Sequence, residues 1–140
     1  METDLKTPNS ETRRGIVCPV FLVLEKNPLV AADMIGTLTA EGPCHIIHET
    51  SPNDVRGALR DVTRLDVAFL ELDVDGLRQS TLAAEINRRG AHIVLTRGED
   101  GYQAAQSAGW GMLIRPFTDQ MLRSCLPDAR QRPALHCSEC

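Results

Sequence analysis

The chain has 140 residues, 42% of them hydrophobic and 24% charged, with a formal net charge of −4, so it has room for one domain whose core needs neither disulfides nor a metal. The acidic balance argues against nucleic acid as the main partner, because phosphate binding wants a basic field. The longest apolar run, 16–24, contains Pro19 and falls well short of the ~20 residues of a membrane-spanning helix. The opening Met1-Glu2-Thr3-Asp4 has no apolar h-region, so a cytoplasmic location with no membrane contact is expected.

Residues 1–14 are polar and aperiodic and are expected to form a disordered N-terminal arm; 128–140 are expected to be a flexible C-terminal tail, leaving 15–127 as the domain. In chain order, 17–24 is apolar on both faces, the mark of a parallel strand covered on both sides. Pro28 suits the first turn of a helix, whose stripe of Leu29, Ala32, Met34, Ile35 and Leu38 ends near Gly42-Pro43. A short strand over 44–48 follows. Asn53 is a good N-cap for a helix carrying Val55, Ala58, Leu59 and Val62. A second buried strand spans 67–72, a helix spans 77–89 and stops at Gly90, and a third strong strand spans 91–95. Tyr102, Ala105 and Ala108 mark a short helix closed by Gly109; 110–114 is the last strand; 117–126 is the last helix, with Phe117, Met121, Leu122 and Leu126 on one side. Strands alternating with helices predict an α/β domain, a doubly wound parallel sheet in three α/β/α layers. Right-handed crossovers leave the order 2-1-3-4-5 as the common solution for five strands, with the binding crevice at the carboxyl ends of strands 1 and 3.

The residues just past those ends are polar. Strand 1 is followed by Glu25 and Lys26, strand 3 by Glu71 and then Asp73, strand 4 by Thr96 and Arg97, and strand 5 by Arg115-Pro116-Phe117. With Pro28-Leu29 behind the first acid, the run Asp66-Val-Ala-Phe-Leu-Glu71, the run Ile93-Val-Leu-Thr96 and the pair Ala108-Gly109, residues 17–126 resemble a receiver domain of bacterial two-component response regulators. The resemblance implies a flavodoxin-like sheet in which two acids after strand 1 and an aspartate ending strand 3 hold Mg²⁺. That aspartate accepts phosphate from a histidine kinase, while a hydroxyl after strand 4 and a lysine after strand 5 bind the phosphoryl oxygens. An aromatic on strand 5 serves as a rotameric switch.

This chain departs from that pattern at several matching positions. Glu71 stands at the phosphoacceptor, Lys26 at the second acid, Arg115 at the lysine, Arg97 where a small residue is usual, and Met112 at the switch aromatic. Asp73 falls where the family supplies only a backbone carbonyl. Mg²⁺ demands near-octahedral oxygen ligation at ~2.0–2.1 Å; Lys26 removes one ligand and adds a cation that repels the ion. Phosphoryl transfer depends on positioning, and a nucleophile displaced by ~1 Å can lose ~100-fold. The expectation is a pseudo-receiver with Glu71 paired to Lys26, Arg115 or Arg97, not phosphorylated by the usual Mg-dependent route. It would be no enzyme, would carry no metal and no cofactor, and would act by binding protein.

The partners this implies are a histidine kinase, a phosphotransfer protein or a regulator, or a second copy through the last helix and strand. Candidate contact residues are Tyr102, Gln103 and Gln106, Trp110 at the start of the last strand, and Phe117, Gln120 and Arg123 beyond it. Only a tail follows the last helix, so a stand-alone receiver is expected. Two alternatives stay open: a working phosphoacceptor, for which Mg²⁺ would be the cofactor, and a dimerisation scaffold without a switch. Other patterns carry less. His45 and His48, three apart in a strand, point to opposite faces and suit packing better than a shared metal. The pair Cys137-x-x-Cys140 with His136 offers too few ligands for a structural zinc. The five cysteines, odd in number and widely spaced, fit isolated thiols of a reducing compartment, with Cys18, Cys44 and Cys125 as small buried residues. The loop Glu25-Lys26-Asn27-Pro28 puts a carboxylate where a flavin phosphate would sit.

Overall fold

The computed structural model describes residues 18–97 and 101–126; the expected arm over 1–14, the expected tail over 128–140 and the Cys137-x-x-Cys140 pair lie outside the described residues. The elements run β1 (Val20–Leu24), α1 (Pro28–Ala40), β2 (His45–Glu49), α2 (Pro52–Ala58), β3 (Val67–Leu70), α3 (Val74–Arg78), α4 (Leu82–Arg88), β4 (His92–Leu95), α5 (Tyr102–Ser107), β5 (Gly111–Met112) and α6 (Asp119–Arg123). All neighbouring strands pair in parallel, in the order β2-β1-β3-β4-β5. This is the flavodoxin-like 2-1-3-4-5 sheet.

Alternation along the strands builds two cores. Leu22, Leu24, Ala68, Leu70, Ile93 and Leu95 face one way and pack with Val55 of α2, Leu77 of α3, Ile86 of α4 and Ala105 of α5. Phe21, Val23, Val67, Phe69 and Val94 face the other way and meet Met34 and Leu38 of α1 and Leu122 of α6. The continuous apolar strands therefore reflect helices on both faces. Each fully buried Leu, Ile or Phe contributes about 1.5–3 kcal/mol through water excluded from its surface. No helix among the described residues is long and apolar enough to cross a membrane.

Local chemistry explains where the elements differ from expectation. The helix expected over 77–89 is two helices, because the Ser80 hydroxyl donates to Leu77 O at 3.0 Å and accepts the Leu82 N–H at 3.2 Å, ending one helix and opening the next. The cap of α2 is Ser51, with Pro52 in the first turn, and Asn53 is already inside the helix. In α1 the buried face is Ala31, Met34, Thr37 and Leu38. Leu29, two residues from Ala31 and so about 200° around the helix, is 77% exposed. The last strand shortens to the two residues of β5. His45 and His48 are exposed on the edge strand β2 instead of packed. Cys18, Cys44 and Cys125 are only half-buried, and Cys18 is disulfide-bonded, so the picture of isolated buried thiols fails there. Burial pushes the Cys125 thiol pKa up.

Candidate functional site

Parallel pairing in register from Phe21↔Val67 to Leu24↔Leu70 makes Glu25 and Glu71 leave the sheet side by side. Glu25 is fully buried. Its carboxylate Oε1 accepts from Arg115 Nη2 at 2.7 Å, and Oε2 accepts the Asn27 N–H at 3.0 Å. Asn27 Oδ1 in turn accepts the Leu29 N–H at 2.9 Å and caps α1. The buried acid is thereby tied to the first turn of a helix as well as to the cation.

Arg115 reaches in from the segment between β5 and α6. Its Nε donates to Thr96 O at 2.9 Å, and its Nη2 also reaches Thr96 Oγ1 at 3.2 Å. Thr96 is buried, and both its N–H and its hydroxyl donate to Leu70 O, at 2.9 and 3.4 Å. One guanidinium thus links the carboxyl ends of β1, β4 and β5, and Thr96 extends the link to β3. Taking the carboxylate of Glu25 out of water costs several kcal/mol, which only a well-placed cation and full hydrogen bonding offset; both are in place here. His48 Nε2 adds a contact to Glu25 O at 3.1 Å.

Glu71 is half-buried, and its Oε1 accepts the backbone N–H of Lys26 at 2.8 Å. The expected pairing of Glu71 with a basic side chain is corrected: Arg115 goes to Glu25, and Lys26 contributes its amide, not its ammonium. Lys26 and Arg97 are exposed, and among the described residues neither side chain forms an ion pair. Asp73 is exposed, and its Oδ1 accepts the Gly76 N–H at 2.7 Å as the N-cap of α3. Met112 is half-buried against the core on the α2–α5 side.

Of the proposed contact residues, Tyr102, Gln103 and Gln106 are exposed on α5, and Gln106 Nε2 donates to Tyr102 OH at 3.2 Å. Gln120 and Arg123 are exposed on α6, while Trp110 and Phe117 are half-buried, each packed against one of the two cores. The two helices flank the edge strand β5 from opposite layers. Asn27 and His48 are the pocket residues that sequence reasoning missed. Asn27 had a signal, since an Asn directly before Pro-Leu is an N-cap pattern. His48 had none, because strand alternation says nothing about a ring reaching across an edge.

The donor set does not fit the Mg²⁺ implied by the resemblance. Both oxygens of Glu25 are engaged, the second acid is Lys26, one oxygen of Glu71 holds an amide and Asp73 caps a helix. Among the described residues no group of three or more His, Cys, Asp or Glu side chains is placed to hold a metal ion.

Solved structures share this architecture. A response regulator from Thermotoga maritima aligns with a TM-score of 0.59 at 16% identity, over 77% of this chain and 94% of its own. A response regulator receiver protein from Burkholderia phymatum aligns with a TM-score of 0.54 at 20% identity, over 76% of this chain and 90% of its own. The fold is that of response regulator receivers. No protein-family model matches the sequence, and no curated protein matches it.

Proposed function

We propose that this protein is an atypical receiver in two-component signalling that works by binding other proteins, with its former phosphorylation pocket held shut by its own arginine. The supporting observation is the Arg115 guanidinium bound at once to the buried Glu25 carboxylate and to Thr96 Oγ1. In the receiver pattern those positions serve a metal and a phosphoryl group; here each is committed to the other. Glu71 completes the change, because its longer side chain holds the Lys26 amide, which ties the ends of β1 and β3 together without a ligand. The pocket chemistry is neutralisation, not transfer, and the protein catalyses no reaction through it.

The test is incubation with Mg²⁺ and acetyl phosphate or beryllofluoride, followed by intact mass and amide NMR shifts. The expected outcome is no adduct and unchanged spectra. A stoichiometric, Mg²⁺-dependent adduct that disappears in Glu71→Ala overturns the proposal and makes the protein a working phosphoacceptor. Partner capture by the unmodified protein and by Arg115→Ala addresses the scaffold alternative. Weaker capture by the variant is expected; equal capture by a folded variant assigns the protein a switchless scaffold role.

A further inference from the structure

Between α1 and α6 lies a groove of about 470 Å³. Val30 and Met34 on α1 and Phe117 and Leu122 on the α6 side supply its apolar lining, and Asp33 and Asp119 stand on its two walls. Both aspartates are exposed, and among the described residues neither forms an ion pair. The same two helices do match charge elsewhere: Arg123 Nε of α6 meets Glu41 Oε2, just past α1, at 3.6 Å. One end of the α1–α6 seam is therefore balanced, and the groove end carries two unpaired acids over an apolar floor; Arg115, the one cation lining it among the described residues, is already held by Glu25.

The complementary chemistry follows α6 directly in the sequence. After Leu126, which packs against the core that α1 and α6 cover, come Pro127-Asp-Ala-Arg130-Gln-Arg132-Pro133-Ala134-Leu135. In an extended chain Arg130 and Arg132 lie on the same side, and Pro133-Ala134-Leu135 is a short apolar run. The six residues from Leu126 to Arg132 reach up to ~20 Å, whereas Val30 to Thr37 spans only ~10 Å of α1. A segment attached to the groove's own wall acts at an effective concentration of order mM, so two modest ion pairs and a small apolar contact suffice.

We propose that residues 127–135 bind back into the α1–α6 groove, with Arg130 and Arg132 opposite Asp33 and Asp119. Arg115 lines the groove but is held by Glu25, so the docking depends on Asp33 and Asp119 and not on Glu71 or on whether the pocket accepts phosphate.

The test is amide hydrogen exchange on the full chain at low salt and low protein concentration, followed over 30–37 and 117–122. In Arg130→Glu/Arg132→Glu, and separately in Asp33→Arg/Asp119→Arg, exchange there is expected to rise about fivefold, with the rest of the sheet unchanged. The quadruple charge swap is expected to restore protection. Unchanged exchange in both double variants, or a quadruple variant no better than either, overturns the proposal. Protection that grows with protein concentration assigns the groove to a second copy and also overturns it. Should a variant fail to fold, salt titration of the unmodified chain decides: exchange at these two stretches is expected to rise with salt, and indifference to salt overturns the proposal.

Discussion

Two arginines hold the two ends of the sheet, and they do so differently. At the amino end Arg89, just past α4, donates to three backbone carbonyls, Val62 O at 2.7 Å, Glu85 O at 2.7 Å and Leu59 O at 2.8 Å, and reaches Glu85 Oε1 at 3.1 Å. Its acid partner also bonds Arg88 and lies near water. At the carboxyl end Arg115 meets one carbonyl, one hydroxyl and a carboxylate that is 1% exposed. Arg89 is a clamp on backbone; Arg115 is the counter-ion of a buried charge. What each is worth depends less on its own bonds than on what is left behind when it is removed.

Arg115→Ala sharpens this most. It strands Glu25 without a cation and is expected to cost about 3–5 kcal/mol, a fall of roughly 10 °C or more in Tm, read by urea or thermal unfolding. Arg89→Ala leaves neutral carbonyls and not a buried charge without a partner, and is expected to cost about 2 kcal/mol in the same assay. If the order reverses, the carboxyl-end pair is not the buried counter-ion described here. Glu25→Gln keeps the shape and an acceptor for the Asn27 amide, so its expected cost is only about 1 kcal/mol.

Double-mutant cycles separate the two ends further. The coupling of Glu25 to Arg115 is expected to exceed ~1 kcal/mol, and that of the solvent-screened Glu85 to Arg89 to be clearly smaller. The smallest effect is on pH dependence. The hydrogen bond from Arg89 holds the Glu85 carboxyl below the usual glutamate range, with help from Arg88. A folded value below the unfolded one means that this contribution is present above the unfolded value and lost as pH falls through the folded one. Stability measured against pH should show a shallow acid limb that Glu85→Gln flattens; an unchanged limb in that variant assigns it to other carboxylates.

Much of the fold was legible because its causes are local or periodic. Apolar residues on both faces of 20–24 and 67–70 announce a covered parallel sheet, and the alternation of strands with helices leaves little freedom in strand order. On α1, Met34 and Leu38 were legible as buried, but Leu29 and Ala32 match a helical stripe as well as Ala31 and Thr37 do. The break between α3 and α4 was missed because Gln79-Ser80-Thr81 contains neither Gly nor Pro; a single hydroxyl makes it. The pocket was half legible. The convergence of Glu25, Glu71, Thr96 and Arg115 follows from topology, but their pairing does not.

The sequence by itself determined that a carboxyl-end pocket exists and which charges border it, because strand ends in a parallel sheet are set by hydrophobic pattern and connection handedness. Only the tertiary structure decided that Arg115 joins Glu25 across 90 residues of chain and leaves Glu71 to an amide. That choice turns on reach and on which carboxylate loses its water. Both are properties of the assembled sheet edge, which no local stretch of residues contains.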